Sequence, residues 1–292
     1  MGKSLGNTVS PGEMVTKFGA DTVRLFILFG ANPEAGMDWS DTALESSSRQ
    51  MNQIFEAFKS LESASPNPKD IDSWLLARAL DNQTRWIDAM EDVSLREGVM
   101  ISHYEMLSDW QWYRRRGGLD RETIQRFLCI WSEMLAPATP HIAEEFWSSL
   151  GGTGILAGNT LSDLSDLSNS DWSLILACED YLREFIDTAR NLRSLAEKHS
   201  NSPLSKVVVQ VASKWKSELA SDAINLASTD FDFKSQGQEY IRKLPIFENE
   251  TMRGEIFQLW MTLTTGSKKK RGRIHTWSNS QKTILLLSLI HI

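Results

Sequence analysis

Residues 135–147 read LAPATPHIAEEFW. The stretch contains a helix stop and a helix start. A helix covering about 120–135 ends before Pro137, because proline cannot continue it. Thr139-Pro140 then reads as an N-cap followed by a first helical residue, opening a helix that runs through Leu150. His141 sits at that start and reads as a packing or hydrogen-bonding histidine that holds neighbouring helices together. Glu144 and Glu145 are adjacent on the helix and so point about 100° apart, which predicts a solvated acidic face rather than a carboxylate pair.

Working outward, the same alternation of helices and punctuation recurs. Ser10-Pro11-Gly12-Glu13 predicts a helix start with a capping box, and Gly19 suits its C-terminal cap. Asp21 is placed to cap a second helix carrying Val23, Leu25, Phe26, Leu28 and Phe29, apolar on most faces and therefore buried. Residues 30–41 form a loop rich in glycine, proline and acids. Met51, Ile54, Phe55, Phe58 and Leu61 make one apolar stripe on a long helix, and SASPNPKD (63–70) breaks it. The next helix starts near Ser73 with Leu76, Leu80, Ile87 and Met90 on one face; a further one covers about 94–114 and ends at Gly117-Gly118. Residues 42–150 thus predict an antiparallel helical bundle.

Residues 151–170, rich in Gly, Ser, Asn and Asp, read as a linker or loop before a helix over about 171–199. Lys206–Val211 is β-branched and strand-like, Trp215–Ala227 returns to helix, and another helix lies around 249–263. The domain division that follows is 1–41, 42–150, a small α/β region within 151–265, and a tail over 266–292. The tail holds a basic run, GSKKKRGR (266–273), and no clear periodicity, and is expected to be disordered or non-native.

Composition narrows the function classes. The 292-residue chain is 41% hydrophobic and 24% charged, enough for a sizeable core. Its formal net charge of -7 means that any nucleic-acid contact must come from a local basic patch. Cys129 and Cys178 are the only cysteines and show no metal-ligand spacing, so free thiols in a reducing cytoplasm are expected, and no metal site. No apolar run is long enough to span a bilayer. The 11 tryptophans fall largely at helical spacing and are expected in the core.

Two stretches carry candidate chemistry. Trp110-Gln111-Trp112-Tyr113-Arg114-Arg115-Arg116 places three arginines beside aromatics at a helix end. Such a cluster can grip phosphates, with Trp112 stacking a base; equally, arginines there complement the helix dipole. MGKSLGN (1–7) ends like a Walker A loop but lacks the upstream glycine and strand that such a loop requires.

Taken together, these stretches resemble a known family. MGKSLGN looks like the KMSKS signature loop of class I aminoacyl-tRNA synthetases, with Ser10-Pro11 a few residues on. Phe18–Leu25 (FGADTVRL) resembles the (Y/F)GAD..R(L/F) stretch that follows that loop. Residues 135–147 resemble the L.P..PH.AEE.W element of the anticodon-binding bundle, with Pro140, His141 and Trp147 as its structural residues; the leucine, isoleucine, valine and methionine branch shares it. Asn32-Pro33-Glu34 with Met37–Asp41, and Met106–Gly118, look like the leucine enzymes of archaeal and eukaryotic-cytosolic type. The resemblance covers residues 1 to about 265.

It implies a mainly α fold: an anticodon-binding-type bundle preceded by the signature loop and a stem-contact junction. It also implies an ATP-dependent leucine–tRNA ligase of the cytoplasm, with tRNA(Leu) as partner and ATP, accompanied by Mg2+, as substrate. Lys3 would offset charge on the ATP phosphates and Ser4 would donate a hydrogen bond, whereas Gly2 stands where the loop usually has a serine. Arg114, Arg115, Arg116 and Trp112 would face tRNA. No HIGH-like stretch occurs, so leucine would bind only through a catalytic domain outside this sequence, and the chain is expected to be a C-terminal fragment, inactive alone. A standalone tRNA-binding module, or the equivalent part of an isoleucine, valine or methionine enzyme, are the competing readings.

Overall fold

The computed structural model describes residues 9–30, 39–168, 172–199, 214–227, 231–233 and 235–265. The chain divides into two compact units, Met1–Trp172 and Ser173–Ile292. The described residues are mostly helical and contain no strand; a single parallel bridge joins Ser65 to Asp120. The expected strand at 206–211, the loop at 1–8 and the tail at 266–292 lie outside the described residues.

The first unit is a helical bundle with a hairpin docked on it. The hairpin is α1 (Pro11–Phe18) and α2 (Ala20–Gly30). Gly19 separates them at φ 83°, a backbone angle that side-chain-bearing residues rarely adopt. The predicted capping box is absent: Ser10 makes no side-chain cap bond. Instead Met14 N–H bonds the Ser10 carbonyl and Thr16 Oγ1 donates to Gly12 O. On α2, Val23, Leu25 and Phe26 are buried, while Ile27 is exposed.

The bundle proper follows with α3 (Asp41–Lys59), α4 (Asp70–Glu91), α5 (Leu95–Val99), α6 (Met106–Arg115), α7 (Arg121–Leu135) and α8 (Pro140–Ser149). Helices α5 and α6 are one rod joined by a π-helical segment, Met100–Glu105. Helix α4 packs against α7, α5 and α6. Its buried face is not the predicted one. Trp74, Leu75, Ala79, Asn82 and Trp86 turn inward, leaving Leu76, Leu80, Ile87 and Met90 half-buried at the flank. The two indoles carry more apolar area than any leucine, so they set the rotation of the helix. Trp74, Trp131, Tyr113 and Phe127 are among the largest fully buried side chains, and Phe58 stacks on Phe146 at 3.7 Å.

Residues 151–168 are a strap rather than a free linker. Its own Leu156, Leu164 and Leu167 are buried. Glu144 accepts from the Leu156 and Ala157 amides, so it anchors the strap instead of lining a solvated face; Glu145 stays exposed. Glu133 accepts from both the amide and the hydroxyl of Ser162, and burial raises its pKa above the ordinary value. Arg126 pairs with Asp166 at 2.6 Å on α9 (Ser165–Ser168).

The second unit holds α10 (Ser173–His199), α11 (Lys214–Ala227), α12 (Gly237–Arg242) and α13 (Arg253–Thr265). Its core is Leu219, Ala220, Ala223, Ile241, Ile256 and Trp260.

Inside the first unit the π segment carries a buried polar chain. Ser102 Oγ donates to Gly98 O at 2.8 Å and lies 2.9 Å from His103 Nδ1. His103 Nε2 lies 3.0 Å from Thr139 Oγ1, and Trp131 Nε1 donates to Ser102 O at 2.6 Å. Gln50 Nε2 donates to the His103 carbonyl. His103 is fully buried, and desolvation holds its pKa down to about 3, so the ring is neutral in the folded protein. The unfolded chain therefore takes up this proton first. Its contribution to stability is complete above about pH 6.5 and is lost as pH falls from there toward 3, at about 1.4 kcal/mol per pH unit. Urea titrations at pH 7.5 and 5.0 should show that loss in the parent, and a His103→Gln variant, less stable at both values, should show a shallower one.

Candidate functional site

The two stretches singled out in the sequence, 18–25 and 135–147, meet. Asp21 lies inside α2 rather than capping it, and its carboxylate reaches α8. Oδ2 accepts the Ile142 amide at 2.8 Å and Oδ1 lies 2.7 Å from His141 Nδ1. Asp21 thus supplies the N-terminal acceptor of α8 from 121 positions away along the chain. The predicted cap, Thr139, is fully buried and makes no cap bond; its hydroxyl turns inward to His103 and to Leu135 O. Pro140 at the first position of α8 has no amide to satisfy, so one acceptor on Ile142 leaves little unfilled. One turn on, Arg24 donates from Nε to Ala138 O at 2.8 Å and from a terminal nitrogen to Pro137 O at 2.9 Å.

The pair therefore places a carboxylate at the start of α8 and a guanidinium at carbonyls just past the end of α7. Each charge meets the favourable end of a helix dipole. His141 bonds α8 to α2 through Asp21, with its side chain otherwise 75% exposed. The other end of α2 is held as well: Arg96 Nε donates to Phe29 O at 3.0 Å, and Phe29 stacks on Tyr104 at 4.5 Å. Trp147, on the same element as His141, is half-buried over Gly152, where an added Cβ would sit 2.2 Å from the indole.

The second candidate region is the far end of the bundle, where α6 stops. Gly117 takes φ 81°, and the Gly118 amide bonds back to Tyr113 O. Gly118 has no alternative, because a Cβ there would lie 2.2 Å from the Tyr113 ring. The Tyr113 hydroxyl donates to Asp72 at 2.6 Å and accepts the Asp120 amide at 3.2 Å. Arg114 lies over the Trp110 ring and donates to Gly118 O at 3.1 Å. Arg115 lies over Trp112 at 5.6 Å and is exposed, as is Arg116. Trp112 is only 7% exposed, so it packs in the bundle under a guanidinium and is not presented to a base. The sequence reading missed Lys69 and Arg121. Lys69 Nζ donates to Gly117 O at 2.6 Å, and Arg121 opens α7 beside it. The proline-rich break at 63–70 hid that neighbourhood.

Lys3, Ser4 and Gly2 lie outside the described residues. Among the described residues no group of three His, Cys, Asp or Glu could hold a metal ion, and no helix is long and apolar enough to cross a membrane. Both thiols are free, and burial pushes each above its ordinary pKa.

Removing the Asp21 carboxylate leaves the α8 amide and His141 without their acceptor. Asp21→Ala is expected to cost about 2 kcal/mol, and Asp21→Asn about half of that. Hydrogen exchange should rise in residues 11–30 while α4 and α7 keep their protection; unchanged exchange there would show that other contacts hold the hairpin.

Comparison with known proteins shows what the chain is similar to. The anticodon-binding domain of tRNA ligase matches residues 72–209. The leucine–tRNA ligase of Methanococcoides burtonii is 26% identical over 233 residues, which are 77% of this chain and 24% of that protein. That of Pyrococcus horikoshii is 28% identical over 252 residues, 83% of this chain and 25% of that protein. The chain spans about a quarter of the length of these curated relatives. Among solved structures, a LeuRS–tRNA–LeuAMS ternary complex from Agrobacterium radiobacter superposes with a TM-score of 0.50 at 22% identity, over 58% of this chain and 23% of that one, a likeness of fold. The chain is thus similar to archaeal leucine–tRNA ligases over most of its length, and its residues 72–209 match the anticodon-binding domain of tRNA ligase.

Proposed function

We propose that this chain is the C-terminal part of a leucine–tRNA ligase, the enzyme that joins leucine to tRNA(Leu) at the expense of ATP. The observation that carries this reading is the clasp between residues 18–25 and 135–147. A stretch that resembles the segment after a KMSKS loop is bonded directly to one that resembles the anticodon-binding element, at sequence separations of 113 to 121. In this reading Lys3 offsets charge on the ATP phosphates, with Ser4 as donor and Gly2 easing the loop. ATP arrives with Mg2+ as substrate, and leucine binds in a catalytic domain outside this sequence. Arg115 and Arg116, with Arg114 behind them, face tRNA phosphates.

The reading has two checks. In filter binding, Arg115→Ala with Arg116→Ala should weaken the complex with a tRNA(Leu) transcript by about tenfold at low salt, and the deficit should shrink as salt rises. Equal affinity at low salt would assign the arginines to structure alone. The purified chain should show no leucine-dependent ATP–pyrophosphate exchange above a Lys3→Ala control; exchange above it would mean that the chain holds a complete activation site.

A further inference from the structure

We infer that the α6 end of the bundle binds the phosphate backbone of paired RNA and does not stack unpaired bases, and that Lys69 and Arg121 belong to this surface with Arg115 and Arg116. The inference rests on the tRNA-binding reading above and specifies which RNA form that surface takes.

The surface is assembled from two stretches distant in sequence. Ser65 N–H bonds Leu119 O at 3.1 Å, Arg121 N–H bonds Ser65 O at 3.2 Å, and Asn67 N–H bonds Asp120 Oδ1 at 3.2 Å. These bonds fix residues 65–69 against 114–121, so the exposed Lys69, Arg115, Arg116 and Arg121 share one end of the bundle. The acids among them are partly spent. Asp120 caps α7, accepting from the Thr123 amide and hydroxyl, and those bonds hold its carboxyl below the usual range. Asp72 is buried against Tyr113 and the Lys69 amide. Asp70 and Glu122 remain exposed.

What this end lacks is as informative as what it holds. Proteins that grip single strands offer exposed aromatic faces on which bases stack. Here Trp110 is 5% exposed, Trp112 7% and Tyr113 fully buried. The guanidiniums of Arg114 and Arg115 lie over the two indoles, each 5.6 Å from the ring centre. No aromatic side chain within 65–69 or 110–121 is exposed. Arg115, held against an indole, loses less freedom on meeting a phosphate than a waving side chain would. Cations without stacking platforms suit a double-helical backbone, which is recognised through phosphates and shape.

The test compares three RNAs at low salt: a tRNA(Leu) transcript, an RNA hairpin, and an unstructured strand as long as the hairpin. The hairpin should bind within about threefold of the transcript, and the strand about tenfold or more weakly than the hairpin. Arg121→Gln should lower hairpin affinity about threefold or more and reduce the salt dependence by about one phosphate contact, with an unchanged melting curve. A strand that binds as well as the hairpin, or a transcript that binds where the hairpin does not, overturns the inference and leaves the tRNA reading standing. Failure of all three RNAs to bind overturns both.

Discussion

The carboxylate of Asp21 is the constraint on which the arrangement of the first unit turns. A helix start leaves backbone amides without partners, and a short polar residue just ahead of the helix usually supplies the acceptor. In this protein the residue in that position, Thr139, is committed to the buried histidine of the π segment. The acceptor for α8 has to come from another helix, and α2 supplies it. Because Arg24 answers the carbonyls just past the end of α7 from the same face of α2, the hairpin cannot slide along the α7–α8 corner without losing both charges' partners. These bonds at helix ends act together with the buried Val23, Leu25 and Phe26 of α2, since α1 buries no residue.

Much of the fold was legible from local chemistry. Gly19, Pro137, Pro140 and Gly117-Gly118 mark helix ends where the structure has them, because these residues act on the backbone they occupy. The apolar stripe of α3 is read correctly at Met51, Ile54 and Phe58 for the same reason: period and burial coincide. The failures share a cause. Asp21, Thr139 and Glu144 each have a plausible local partner and a better distant one, and sequence spacing reports only the former. The rotation of α4 fails differently. Leu76, Leu80, Ile87 and Met90 define one face and Trp74, Leu75 and Trp86 another, and only packing against α6 and α7 chooses between them.

At the other end of the bundle the same sequence motif separates into two jobs. The aromatics of 110–113 are core, and the arginines of 114–116 ride on them. Reading the cluster as one recognition motif joins what the helix divides. The i to i+3 and i+4 steps that bury Trp110 and Tyr113 leave Arg115 and Arg116 outward. Asp21 and Arg24 stand in the same i, i+3 relation, which in hindsight is the legible sign that α2 had one charged edge to satisfy.

The π segment at Met100–Glu105 has a consequence for how the rod from α5 to α6 serves its neighbours. A turn closed by i to i+5 bonds takes up one residue more than an α-turn, and one residue is worth about 100° of rotation. The rod thus changes phase partway along. Before the shift, Arg96 faces the end of α2; after it, Trp110 and Tyr113 face the core beside α4 and α7. A uniform helix of the same composition would have to choose one of these audiences. The wide turn lets a single rigid element keep time with two partners whose spacing has no common period.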